Sequence, residues 1–190
     1  MPDFYALRPS VAPWGDYGRI LRDGLIKIET IDSGTVRTLH RTGPYVPKMC
    51  APFRAIVVVD DLRAELIGAK FTGFTLNPLL VRKVVRIDWQ TWDLTADDPK
   101  EYPPSGNPED YVLTGVHDAH LSMELPKLWV LDAPSTPGLQ VAGTDTFYWA
   151  RHPRDDVARE HTIHWFSGDL VRWLKDRVDN AVAFKLIQPR

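Results

Sequence analysis

Two stretches of this 190-residue chain read as the same unit: apolar strand, acidic cap, amphipathic helix, alternating strand. The first runs from Ile56-Val57-Val58-Val59 through Asp60-Asp61-Leu62 to Leu66, then to Phe74-Thr75-Leu76 and Pro78. The second runs from Ile163-His164-Trp165-Phe166 through Ser167-Gly168-Asp169-Leu170 to Leu174, then to Phe184-Lys185-Leu186 and Pro189. Each unit carries an apolar face that has to be buried against something else. Two similar units therefore point to a pseudo-symmetric scaffold in which they pack together.

Within the first unit, residues 55–59 form a short apolar run suited to a buried strand. Asp60 or Asp61 is placed to cap the helix that follows, and Leu62 and Leu66 share one helical face. In the second unit Ser167 or Asp169 takes the capping position. Leu170, Trp173, Leu174 and Val178 fall at i, i+3, i+4 and i+8, which is the strongest helical stripe in the chain. Elsewhere residues 4–7, 25–31, 36–40, 128–131 and 147–149 read as strands, with a Ser33-Gly34 turn between the second and third. Pro9, Pro13, Gly15 and Gly18 predict a loop, and Ala133-Pro134-Ser135-Thr136-Pro137-Gly138 predicts another. Val85, Ile87 and Trp89 alternate as a strand.

Residues 93–110 differ in character, with four prolines, six acids and one lysine. Such a segment buries too little apolar surface to form a regular element and is expected as an exposed, mobile loop. The fold expected is α+β: a strand-rich single domain over residues 1–190, with two pseudo-repeated strand–helix–strand units and few helices. Two similar halves, about 1–92 and 111–190, are joined by the acidic Pro-rich loop 93–110.

A formal net charge of −2 argues against bulk attraction to nucleic acid or to an anionic membrane. Cys50 stands alone, which excludes an internal disulfide and favours a reducing compartment. No signal peptide and no uncharged run of membrane-spanning length is visible. The expectation is a cytoplasmic protein without a cofactor.

Chemistry-bearing motifs are sparse. Cys50, between Met49 and Ala51, lacks a helix start that would activate it and reads as an inert buried thiol. Phosphate-binding loops and nucleophile elbows are missing. Two His-x-x-His pairs, His117/His120 and His161/His164, could ligate a metal together with Asp118. On a strand, however, residues three apart face opposite ways, and the first pair lies in a turn. A metal-dependent hydrolase built on His117, Asp118, His120 and one of His161 or His164 is thus an alternative function, and a structural or assembly protein is a third. The acids of the loop suit a charged docking surface better than acid–base catalysis, which needs carboxyls in a cleft. The predicted partner-binding residues are Trp92, Asp97, Asp98, Glu101, Tyr102, Glu109 and Asp110. Trp89 and Trp92, read on a strand, would point opposite ways. Two readings follow: both are core, or one is exposed as an interface anchor.

The helix-to-strand segment Ser167-Gly168-Asp169-Leu170 to Leu174, followed by Phe184-Lys185-Leu186 and Pro189, resembles immunity proteins of bacterial polymorphic toxin systems. Asp61-Leu62 to Leu66, followed by Thr72-Gly73-Phe74-Thr75-Leu76 and Pro78, looks similar. The likeness is to the immunity-protein-eleven group and relatives of the double-CXXCG group, although one cysteine cannot supply either CXXCG. It covers about a third of the chain. It implies a non-enzymatic cytoplasmic protein that binds and neutralises a cognate protein toxin.

Overall fold

Both repeated units form, and each is built around a third strand supplied from elsewhere in the chain. The computed structural model describes residues 3–31, 34–53, 55–135, 139–141, 147–149, 154–160 and 163–186. The fold is α+β and strand-rich, as expected. Pro137, Gly138, Ser33, His161 and Pro189 lie outside the described residues.

In the first unit, β5 (Val57–Val59) leads into α2 (Asp60–Gly68) and then β6 (Thr75–Pro78). Between β5 and β6 lies β8 (Leu128–Asp132), antiparallel to both. With β4 (Met49–Cys50) outside β5, the order is β4-β5-β8-β6. In the second unit, β12 (Ile163–Ser167) leads into α5 (Gly168–Lys175) and then β13 (Val182–Leu186). Between β12 and β13 lies β1 (Phe4–Pro9), again antiparallel to both, and β11 (Val157–Glu160) flanks β12. The order β11-β12-β1-β13 repeats the first plan. Each sheet takes one strand from the far side of residues 93–110.

The two sheets and their helices share one core. Leu62 and Leu66 of α2, Leu170 and Leu174 of α5, Val57 and Val130 of one sheet, and Leu7 and Phe166 of the other belong to a single buried cluster. Burying each such leucine contributes about 2 kcal/mol. Alternation sends Phe4, Ala6 and Trp165 to the opposite face, where they form a smaller cluster.

A third sheet, β2-β3-β7, holds β2 (Leu25–Ile31), β3 (Gly34–Gly43) and β7 (Leu80–Arg86). β2 and β3 pair antiparallel, β3 and β7 parallel. Only Leu79 separates β6 from β7, so the chain passes from one sheet to the next there. A hairpin of β9 (Leu139–Val141) and β10 (Phe147–Trp149) completes the strands.

Three readings are corrected. Residues 16–23 form a helix, α1 (Asp16–Asp23), where a loop is predicted. Gly18 is needed inside it, because a Cβ there would sit 1.8 Å from the carbonyl oxygen of Pro13. Asp60 and Asp61 do not cap α2: the N-cap is Val59, and both acids lie in the first turn. There they favour the helix dipole, and Asp60 Oδ1 accepts from Trp129 Nε1 at 2.7 Å. After Arg86 the strand stops, and Trp89–Thr91 form a 3-10 turn. Three residues per turn bring Trp89 and Trp92 to one side rather than opposite faces.

Candidate partner-binding site

The acidic loop is exposed but held in place from beneath by aromatic side chains. A buried cluster of Leu21, Trp89, Trp92, Tyr111 and Val112 lies below it, with Trp14 and Tyr17 packed alongside. Trp14 and Trp92 meet at 5.7 Å between ring centroids. Tyr17 stands edge-on to Tyr102 at 5.0 Å and to Tyr111 at 6.2 Å. Such contacts add to the burial of the rings themselves.

Hydrogen bonds then fix the loop backbone. Trp14 Nε1 donates to the Ala96 carbonyl at 2.9 Å, and the Tyr17 hydroxyl to the Gly106 carbonyl at 2.5 Å. The Tyr111 hydroxyl donates to the Glu101 carbonyl. Inside the loop, the Tyr102 hydroxyl donates to Asp98 Oδ1 at 2.5 Å and the Ser105 hydroxyl to Asp110 Oδ2 at 2.5 Å. The Asp98 carboxylate accepting that bond is the main cause that raises the Tyr102 phenol to about 12. Burial does the same at Tyr111, also to about 12. Both phenols stay protonated and keep donating at neutral pH.

On this frame Asp97, Asp98, Glu101 and Glu109 are exposed, and Asp110 is half-buried at the start of a short helix, α3 (Asp110–Leu113). Asp93 and Asp16 of α1 are exposed as well. The charged side chains that the loop exposes are thus five carboxylates against one cation, Lys100, on a backbone already held by hydrogen bonds. Trp92 is corrected: it is 8% exposed and belongs to the support, not to the outer face. Its apolar ring is worth more against Trp14 than in water. Trp14 and Tyr17 are the positions that the sequence reading lacks, because they lie 82 and 89 residues from the carbonyls they hold.

The described histidines are not gathered into a metal-binding group. His117 Nδ1 accepts from the Val84 amide at 3.1 Å, and His117 bridges to Val85. Asp118 caps α4 (Ala119–Glu124) through Leu121 and meets Arg86 Nε at 2.7 Å. The Leu121 amide first, then Arg86, hold its carboxyl below the usual range. His120 faces Glu124 at 3.2 Å on the surface. His164 lies on β12, at 8% exposure. His161 lies outside the described residues. Among the described residues, no group of three or more His, Cys, Asp or Glu side chains is arranged to hold a metal ion.

Cys50 is 1% exposed, and burial first, then Asp23, pushes its thiol up to about 12. A thiol in that state is a poor nucleophile. Among the described residues no helix is long and apolar enough to cross a membrane. Comparison of the chain with protein-family models, with curated proteins and with solved structures gives no match.

Proposed function

We propose that this is a non-catalytic binding protein whose acidic face, the loop 93–110 seated on α1, receives a basic protein partner. The observation that carries the reading is the ordering of that face. Carboxylates that need no rearrangement lose little conformational entropy on binding, and their charge steers an oppositely charged partner toward them. The specific form we propose is an immunity protein that occludes a cognate bacterial toxin. Its support is the resemblance of the two strand–helix–strand segments to such proteins.

The test is the triple variant Asp97→Lys, Asp98→Lys, Glu101→Lys, with the protein encoded beside this chain as binding partner. Titration calorimetry is expected to show at least about a tenfold loss of affinity. Stopped-flow mixing is expected to place much of the loss in the association rate, and raised salt to narrow the difference. Unchanged affinity would remove the loop from the interface. A neighbouring protein that neither binds nor is toxic on expression would remove the immunity reading.

A further inference from the structure

One rim of the third sheet is left open. On the far rim β7 is closed off: the Val84 carbonyl accepts from the Asp118 amide at 2.8 Å, and the Val84 amide donates to His117 Nδ1 at 3.1 Å. β2 pairs with β3 alone, in unbroken antiparallel register from Leu25↔His40 to Ile31↔Gly34. Among the described residues, no backbone group of β2 bonds to any other element. Alternate residues of an antiparallel strand turn their amide and carbonyl groups away from its partner, so the outer side of β2 is a row of unused donors and acceptors.

The side chains of that strand are patterned to match a copy of itself. Alternation puts Ile26, Ile28 and Thr30 on one face and Lys27 and Glu29 on the other. Ile26 packs on the main core, whereas Ile28, next along that face, is 74% exposed. Lys27 is exposed and makes no hydrogen bond or ion pair among the described residues. Glu29 only approaches its neighbours, at 3.6 Å from His40 Nε2 and 3.9 Å from Arg82 Nε. An edge lysine ordinarily keeps other strands away, as do prolines and bulges. β2 has neither proline nor bulge, and two positions beyond its lysine stands an acid that complements it.

We propose that two copies of this chain join through β2, antiparallel and centred on Ile28, so that two three-stranded sheets become one continuous sheet. In this register Ile28 lies opposite its own copy, Ile26 opposite Thr30, and Lys27 opposite Glu29, the last two pairings each occurring twice by symmetry. The two isoleucines cover each other, and both lysines gain an opposite charge. The neighbouring registers do not offer this. Centring on Lys27 or on Glu29 sets like charges face to face in the middle of the pair, and so does parallel pairing of like residues. Charge thus selects one register among those that keep the core faces of both sheets on the same side. Residues 26–30 on each side make an interface smaller than the standard ~1,600 Å2, so the dissociation constant is expected on the order of 100 µM. None of these residues lies in the loop 93–110, so self-association and partner binding at the acidic face are separable.

Sedimentation velocity from about 10 µM to about 1 mM tests the proposal. A concentration-dependent equilibrium between monomer and dimer is expected, with amide exchange at residues 26–30 slowing as the dimer fills. Lys27→Glu and Glu29→Lys each set like charges opposite one another twice over, and each should weaken the dimer at least about tenfold. Mixed in equal amounts, the two variants should restore it, because every acid of one chain then faces a lysine of the other. Thermal melting verifies that each variant folds. Lys27 is exposed, so Lys27→Glu remains informative if loss of Glu29 disturbs His40. Three results would overturn the proposal. They are no dimer at about 1 mM, a dimer that Lys27→Glu leaves unweakened, and a mixture of the two folded variants that associates no better than either alone.

Discussion

His164 makes stability depend on pH. Burial, with Arg159 next in weight, pushes its imidazole from 6.5 down to about 4. Between those values the unfolded chain takes up a proton that the folded chain refuses. Stability is therefore full above about 6.5, falls as pH drops toward about 4, and loses nothing more from this group below that. At pH 5 the loss from His164 is about 2 kcal/mol. Urea unfolding at pH 7 and pH 5 is expected to show that loss in the wild type and not in His164→Gln. Equal slopes for the two proteins would mean that another group titrates. His40, also lowered chiefly by burial, adds to the slope of both proteins in the same direction, so the difference between them belongs to His164. Cys50 gives a second check at this scale. With its thiol at about 12, a thiol-specific disulfide reagent at about pH 8 should label it only after unfolding. Rapid labelling of the native protein would contradict its burial.

The two helices of the repeat start differently, and that difference is measurable. Ser167 Oγ accepts from the Leu170 amide at 3.2 Å and donates to Asp156 Oδ1 at 2.7 Å. Ser167→Ala is expected to cost about 1–2 kcal/mol. Asp61, exposed in the first turn of α2, makes no capping bond, so Asp61→Asn should cost no more than about 0.5 kcal/mol. Chemical denaturation of both variants settles the ranking, and equal costs would refute it. This is also the scale at which the sequence reads well or badly. β2 is legible because Leu25–Ile31 alternates. α5 is legible because Leu170 and Leu174 repeat at helical spacing. α1 is not, because Gly15 and Gly18 argue locally for a turn, and only tertiary packing of Leu21, fully buried, outweighs them. α3 and α4 are too short to display a helical period. The loop's exposure follows from its composition. Its anchoring by Trp14 and Tyr17 does not, since no local pattern links residues more than eighty positions apart.

At the level of the whole molecule, one sheet plan occurs twice, but the middle strand comes after its unit in the first copy and before it in the second. β8 follows α2 and β6, whereas β1 precedes everything it pairs with. Tyr5 faces Leu186 across that pairing, so the start of β1 and the end of β13 are about one strand spacing, ~4.8 Å, apart. A circular permutant that joins these ends by a short Gly-Ser linker, with new ends between β8 and β11, would run as two tandem copies of the same plan. It is expected to give the parent's far-UV circular dichroism and one cooperative unfolding transition. Loss of either would show that the linear order of strands is itself required. That order also sets a schedule for synthesis. β1 leaves the ribosome before either partner, which pair with it from 159 to 181 residues downstream, about ten to thirty-five seconds later at ordinary elongation rates. Throughout that interval each edge of β1 lacks its native neighbour, and a growing chain can only wait or pair wrongly. The strand that completes the second sheet is thus the one most in need of a holding chaperone while the protein is being made.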